Sequence, residues 1–237
     1  MPGTTHHFGV LIPSTNTTAE FEYSRLLPPE WQAHYARVMT SSAAKTPFSP
    51  PKDEDVDYQA RLLGTARVEA IFLLQTSASL FRDGYCADVS RRISAAAGGV
   101  PGFTSAMAIG EALQALGARQ VALVSPYSAP VNASAKRYYE EGYGLLVVAL
   151  EGFAATDSYA IGQLGPENAR DAFRRIDRPE IEAFVVPGGN FPTMASIEGW
   201  EREFGKPVVT TNQAALWAVL RRLGSADRLP GLGRLLA

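Results

Sequence analysis

Four short polar segments follow apolar runs in this 237-residue chain, and their side chains are suited to holding an anion. They are Pro13–Thr18, Gln75–Ser79, Pro126–Tyr127 and Gly188–Asn190. Hydroxyl, amide and backbone N–H donors of this kind can bind both oxygens of a carboxylate, or of an enediolate formed from it. The segments therefore indicate chemistry on a small carboxylic acid.

The first two segments also have an ordinary structural explanation. Ser14 and Asn16 would bind a carboxylate at a helix start, although serine and threonine often do no more than cap a helix there. Thr76 and Ser77, with Gln75 beside them, would form an oxyanion site, whereas a capped strand-to-helix turn explains the same residues. Both interpretations stay open on the sequence alone.

The other two segments are open to the same doubt. Tyr127 would donate to an anion, or transfer a proton if its pKa is lowered; the alternative is a packing tyrosine with a solvated hydroxyl. Gly188 and Gly189 would let the backbone approach a ligand while the amide of Asn190 orients it. A tight turn explains the two glycines equally well.

An internal repeat relates the four segments to one another. Val68–Ser77 matches Ile181–Asn190 at an offset of 113 (181 − 68), and Gly9–Ser14 matches Ala122–Tyr127 at the same offset (122 − 9). We infer two copies of one α/β unit. The strand ends that carry the polar segments should then face each other across a cleft.

Short β-rich runs alternate with helical patterns along the whole chain, which predicts βαβ units and parallel sheets. The predicted strands are Phe8–Ile12, Trp31–Met39, Ala70–Leu74, Gly102–Thr104, Gln120–Ser125, Leu145–Leu150, Ala183–Val186 and Val208–Thr210. The predicted helices are Ala19–Leu27, Asp53–Ala66, Asp88–Ala97, Ala106–Leu116, Ala133–Glu141, Pro166–Ile176, Ile197–Glu203 and Gln213–Leu223. The expected fold is α/β, with two pseudo-symmetric Rossmann-like lobes, each a mainly parallel four-stranded sheet flanked by helices.

The repeat also suggests where the lobes divide. A third match, Gly99–Ser105 with Gly205–Thr211 at an offset of 106 (205 − 99), closes each copy. We expect residues 1–117 to form the first lobe and 118–211 the second, with the helix in 212–237 returning to the first. Ligands of parallel sheets bind beyond the carboxyl ends of the strands, so the site should lie in the cleft. Ser41–Pro51, with three prolines, is interpreted as a lid.

The composition excludes several functional classes. A net charge of −2 without a basic run argues against nucleic acid, and the apolar runs are too short to span a membrane. Three histidines do not make a typical zinc site, and no glycine-rich phosphate loop follows the first strand. The single cysteine, Cys86, fits a reducing cytoplasm and is expected to be inert. Homo-oligomerisation is left open.

Several motifs occur in a fixed order almost from end to end. They are Pro13–Thr18, Thr76–Ser79 with Arg82, Ser125–Tyr127 with Val131–Asn132, Thr211–Ala214 with Trp217, and Gly231–Leu235. In this order the motifs resemble the maleate isomerase and arylmalonate decarboxylase family of the aspartate/glutamate racemase superfamily. The resemblance implies two α/β lobes with the active site between them, and catalysis without a cofactor.

The resemblance also shows a departure. It implies one active-site cysteine from each lobe in racemases and maleate isomerases, and only the second in the decarboxylases, acting as nucleophile or proton carrier. The matching positions are Gln75 and Gly188. A glutamine can hydrogen-bond or hold a water molecule but cannot attack an alkene, and glycine has no side chain.

The resemblance retains an anion-binding site. It implies that Asn16, Thr76, Ser77 and Tyr127 hold one carboxylate or an enediolate, and that Asn190 orients the other end of the ligand. The first hypothesis is a cofactor-independent isomerase or decarboxylase of a small maleate- or malonate-like acid. The second is a carboxylate-binding regulatory protein that kept the pocket and has no catalytic activity.

Overall fold

Two parallel sheets of four strands each organise residues 5–39 and 48–237, the part of the chain that the computed structural model describes. The strands are β1 (His6–Pro13), β2 (Trp31–Val38), β3 (Ala70–Leu73), β4 (Gly102–Thr104), β5 (Gln120–Ser125), β6 (Leu146–Gly152), β7 (Ala183–Val186) and β8 (Val208–Thr210). The sheet orders are β2-β1-β3-β4 and β6-β5-β7-β8. This confirms the predicted fold class.

Helices flank both sheets. They are α1 (Ala19–Leu26), α2 (Asp53–Thr65), α3 (Thr76–Ser79), α4 (Tyr85–Ala96), α5 (Ser105–Ala115), α6 (Ala129–Tyr143), α7 (Ser158–Gly162), α8 (Pro166–Ile176), α9 (Ile197–Phe204) and α10 (Thr211–Arg222), with a 3-10 turn at Met194–Ser196. The short helices α3 and α7 were not predicted, because four or five residues are too few to show a helical period.

The strand register repeats with the offsets of the sequence. Phe8 of β1 pairs with Ala70 of β3, and Val121 of β5 pairs with Ala183 of β7, so both partners shift by the same offset of 113 (121 − 8 and 183 − 70). The outer pairs, β3 with β4 and β7 with β8, repeat with an offset of 106 between β4 and β8 (208 − 102). The sequence repeat is therefore also a structural repeat.

The alternation of apolar residues in β1 explains how the first sheet is covered on both faces. Phe8, Val10 and Ile12 belong to the larger hydrophobic cluster, whereas Leu11 packs in a second cluster with residues of α2 and α4 such as Val56. The larger cluster also contains the central strands of the second sheet. The two sheets therefore share one hydrophobic core.

Helix α6 begins four residues earlier than predicted. It starts at Ala129, and its Pro130 suits a first turn because proline lacks the N–H that would be unpaired there. Asn132, which precedes the predicted start, lies inside the helix and donates its Nδ2 to the carbonyl oxygen of Tyr127 at 3.0 Å. The first turn of α6 is thereby tied to the segment that carries Tyr127.

The C-terminal helix contacts the first lobe. Arg222 of α10 pairs with Glu111 of α5 through two hydrogen bonds of 2.9 Å, and the hydroxyl of Tyr23 donates to the Asn212 carbonyl at 2.8 Å. The lobe boundaries at 117 and 211 stay a prediction. Of the loop predicted as a lid, residues 41–47 lie outside the described residues.

Gly110 allows the two lobes to approach each other where α5 meets α6. A Cβ atom on Gly110 would lie 2.3 Å from the ring of Tyr143, which is closer than any two carbon atoms can pack. Gly199 in α9 is a matched helical glycine, since a Cβ atom there would meet nothing within 4 Å.

Gly110→Ala should lower the free energy of unfolding by about 1–3 kcal/mol, because the added methyl overpacks the α5–α6 contact. Gly199→Ala should raise the same free energy by about 0.5–1 kcal/mol, because alanine favours an open helical position. Urea unfolding followed by circular dichroism measures both. Equal stability of wild type and Gly110→Ala would contradict the close packing.

Candidate active site

Three predicted site residues meet at the carboxyl ends of the central strands. Thr76 and Ser77 follow β3 of the first lobe, and Tyr127 follows β5 of the second. The Tyr127 hydroxyl lies near the side chains of Thr76 and Ser77 and the backbone of Ser77, which act to lower its pKa. All three residues are buried. We call them the hydroxyl cluster.

The surroundings of Tyr127 make its hydroxyl a hydrogen-bond donor. Burial raises the pKa of Tyr127 well above its ordinary value, and the hydrogen bonds from Thr76 and Ser77 offset that effect only in part. The phenol is therefore neutral and protonated near pH 7. This direction is opposite to the lowered pKa that proton abstraction by Tyr127 would need.

Two further hydroxyls extend the hydroxyl cluster, and the sequence analysis did not single them out. Thr76 Oγ1 lies 3.1 Å from Ser105 Oγ and 3.2 Å from Thr211 Oγ1. Thr211 Oγ1 in turn accepts a hydrogen bond from the backbone N–H of Gly188 at 2.7 Å. Ser105 and Thr211 are equivalent in the repeat at an offset of 106 (211 − 105), which was the available signal.

Asn16 uses its side chain to join the lobes. Its Nδ2 donates to the Gly189 carbonyl at 3.0 Å, and its Oδ1 accepts from the backbone N–H groups of Thr18 and Ala19 at 3.0 Å each. The amide thus satisfies the start of α1 and holds the loop after β7. Contact of Asn16 with a carboxylate stays a prediction.

Asn190 reaches back across the cleft in the same way. Its Oδ1 accepts from the backbone N–H groups of Thr17 at 2.8 Å and Thr18 at 3.1 Å, and its Nδ2 donates to the Ser158 carbonyl at 2.7 Å. Ser14, at the exposed start of the same turn, has its carbonyl oxygen 3.2 Å from Arg37 Nη1. Ligand contacts of Asn190 and Ser14 stay predictions.

Gln75 lies beneath the segment where the described chain resumes. Its Nε2 donates to the Ser49 carbonyl at 2.9 Å and approaches that of Phe48 at 3.5 Å. The Phe48 ring packs edge-on against Tyr127 with the ring centres 5.4 Å apart. The Phe48–Ser49 segment therefore covers the hydroxyl cluster and Gln75 together.

Gly188 has a backbone conformation that favours glycine. Its φ is +112°, and a Cβ atom would lie 2.9 Å from Pro126 Cγ and 3.7 Å from the Tyr127 hydroxyl. A cysteine at this position would therefore require the backbone to change. Gly188 thus provides no thiol, and its backbone conformation disfavours a residue with a side chain.

Glu22 is a buried carboxylate at the lobe interface that sequence reasoning missed. Its Oε1 accepts from the backbone N–H groups of Thr193 at 2.7 Å and Met194 at 2.8 Å, and its Oε2 accepts from Asn212 Nδ2 at 2.6 Å. Burial raises the pKa of Glu22, and these three hydrogen bonds oppose that effect. Nothing distinguishes Glu22 from Glu20 on the same helix in sequence.

Cys86 has hydroxyl partners other than the hydroxyl cluster. Its Sγ lies 3.1 Å from the Tyr138 hydroxyl and 3.4 Å from Thr104 Oγ1. Within residues 5–39 and 48–237, no group of three His, Cys, Asp or Glu side chains is placed to bind a metal ion. No helix in that part of the chain is long and apolar enough to cross a membrane.

Glu22→Gln should lower the free energy of unfolding by about 1.5–3 kcal/mol, because a glutamine amide cannot accept all three hydrogen bonds to a charged group. Glu20, on the same helix as Glu22, forms a half-exposed ion pair with Arg37 of β2, so Glu20→Gln should cost at most about 1 kcal/mol. Chemical unfolding of both variants measures the two losses in the free energy of unfolding. Equal losses would show that Glu22 does not anchor the lobes.

Gly188→Ala should lower the free energy of unfolding by about 1–3 kcal/mol, since its φ lies in a region that alanine rarely adopts. Gly199→Ala is again the control, because its backbone is an ordinary helix. Thermal and urea unfolding report the difference. Wild-type stability of Gly188→Ala would mean that the loop relaxes freely and would accept a thiol.

Comparison with known proteins agrees with this geometry. The arylmalonate decarboxylase family model matches residues 47–236. Maleate isomerase Iso from Pseudomonas putida S16, a cysteine-to-alanine variant solved with maleate, has a TM-score of 0.90 at 26% identity, with 98% of each chain covered.

Two further relatives are similar. A Nocardia farcinica maleate cis-trans isomerase, a cysteine-to-serine variant with a covalently bound succinylcysteine intermediate, has a TM-score of 0.86 at 28% identity over 98% of each chain. The arylmalonate decarboxylase of Bordetella bronchiseptica is 28% identical over 197 residues, 77% of both chains. The chain therefore belongs to the arylmalonate decarboxylase family, together with the maleate isomerases that it resembles.

Proposed function

We propose that the chain is a cofactor-independent enzyme that decarboxylates a small malonate-like acid. The observation that supports this proposal is the hydroxyl cluster, in which Thr76, Ser77 and a protonated Tyr127 converge from two lobes. Neutral donors held in place by burial suit an oxygen whose negative charge grows during the reaction. The binding of such an acid by these residues is part of the proposal.

The reaction that fits these donors is loss of carbon dioxide. The bond between the central carbon and one carboxyl group breaks, and its electron pair passes to the retained carboxylate to form an enediolate. Hydrogen bonds from Thr76, Ser77 and Tyr127 strengthen as the charge moves onto those oxygens, which lowers the barrier. A proton from water then adds to the carbon. No group of the protein needs to form a covalent bond.

Decarboxylation is favoured over cis–trans isomerisation because Gln75 and Gly188 occupy the two positions where the resemblance implies cysteines. The Nocardia farcinica isomerase forms a succinylcysteine intermediate, which requires a thiol. Gln75 and Gly188 provide no thiol, so isomerisation of a maleate-like acid would have to proceed through the enediolate alone. An enediolate needs only the oxyanion donors, which the chain has.

The purified chain should release carbon dioxide from at least one acid in a panel of substituted malonates. Tyr127→Phe and Thr76→Val should each lower kcat by about 10²–10³, as expected for loss of one oxyanion donor. Tyr139→Phe is the matched control: this tyrosine is also buried, but its hydroxyl has no partner in the described part of the chain. Its kcat should equal that of wild type.

The panel also separates the two functional hypotheses. If Tyr127→Phe and Tyr139→Phe reduce turnover equally, the hydroxyl cluster is not the catalytic site. Acids that bind tightly, measured by calorimetry, without any turnover of malonates or maleate would contradict the proposal. That result would support a carboxylate-binding protein without catalytic activity.

A further inference from the structure

Gln75 presents a buried acceptor whose orientation the structure determines. Its Nε2 must face the carbonyl oxygens of Ser49 and Phe48, because only the NH₂ end of the glutamine amide can donate a hydrogen bond to a carbonyl. The Oε1 atom therefore points away from that segment. It is buried and finds no donor among residues 5–39 and 48–237.

The position of this acceptor is as informative as its lack of a partner. Gln75 directly precedes Thr76 and Ser77, two of the three members of the hydroxyl cluster. Across the cleft, the equivalent position in the repeat is Gly188 (75 + 113), which contributes no side chain. The amide oxygen is therefore the side-chain polar atom that these two equivalent positions offer to a bound molecule.

Leaving a buried hydrogen-bond acceptor unpaired costs free energy. A ligand that supplies the missing donor therefore binds more tightly than an otherwise identical ligand without a donor. An amide oxygen has no proton to donate, so it favours O–H and N–H groups and disfavours a carboxylate oxygen. Gln75 thus differs chemically from the hydroxyl cluster beside it, whose members donate to an anion.

We propose that Gln75 makes the site selective for acids with a hydrogen-bond donor on the carbon next to the bound carboxylate. The preferred substrate class is then a 2-hydroxy or 2-amino acid of the malonate type. The carboxylate would lie against the hydroxyl cluster, and the neighbouring O–H or N–H would donate to Gln75 Oε1. This inference rests on the proposed function for the place of the carboxylate.

The test compares matched acids that differ only by the donor, malonate with hydroxymalonate and propionate with lactate, by titration calorimetry on the full chain. Wild type should bind each hydroxy acid about 10–100-fold more tightly than its partner. Gln75→Met, of similar volume but without an acceptor, should bring both ratios to about 1. Thr76→Val should weaken both members of a pair and leave the ratio unchanged.

Two results would overturn the inference: equal binding of both members by wild type, or a preference that survives in Gln75→Met. If Gln75→Met does not fold, Gln75→Asn, which withdraws the acceptor by one methylene, replaces it with the same expectation. Failure of the proposed function has a different signature. No acid would bind, or Thr76→Val would leave all affinities unchanged, whatever the ratio in wild type.

Discussion

The close approach of Tyr127 of the second lobe to Thr76 and Ser77 of the first is the contact on which the candidate site depends. It exists because Thr76 and Ser77 follow β3, because Tyr127 follows β5, and because the two sheets share a hydrophobic core. A tyrosine is already protonated near neutral pH, and burial raises the pKa of Tyr127 further, so its hydroxyl stays a donor. If Tyr127 were exposed to solvent, water molecules would compete with its hydroxyl for the acceptor oxygen, and its hydrogen bond would be weaker.

Buried polar groups hold the lobes around that contact. Glu22, Asn16 and Asn190 each bond to backbone atoms of the opposite lobe, and their hydrogen bonds have donor–acceptor distances of 2.6–3.1 Å. Breaking one of them would leave a buried group unpaired, which costs more than the bond itself contributes. The interface is therefore sensitive to small displacements. It positions the hydroxyl cluster more strictly than apolar packing alone would.

Gln75 and Gly188, which replace two cysteines, change the chemistry available at the candidate site more than they change the fold. A TM-score of 0.90 to a maleate isomerase shows that the two proteins share one fold. Gly188 has a φ of +112°, which favours glycine. Gln75 donates its amide N–H groups to carbonyl oxygens of the Phe48–Ser49 segment. Gly188 therefore contributes a glycine-specific backbone conformation, and Gln75 contributes a buried hydrogen-bond acceptor. The residues proposed as oxyanion donors, Thr76, Ser77 and Tyr127, are all present.

The sequence by itself determined the strands, their parallel arrangement and the twofold repeat, because apolar runs and a constant offset between matching segments can be read directly from the order of residues. It also predicted that Thr76, Ser77 and Tyr127 lie close together, since residues beyond the carboxyl ends of parallel strands gather on one side of a sheet. Only the tertiary structure decided the partners of Glu22, the direction of the Tyr127 pKa shift and the orientation of Gln75. Those properties depend on burial and on contacts between residues far apart in the chain, up to 190 positions for Glu22 and Asn212, which no local pattern records.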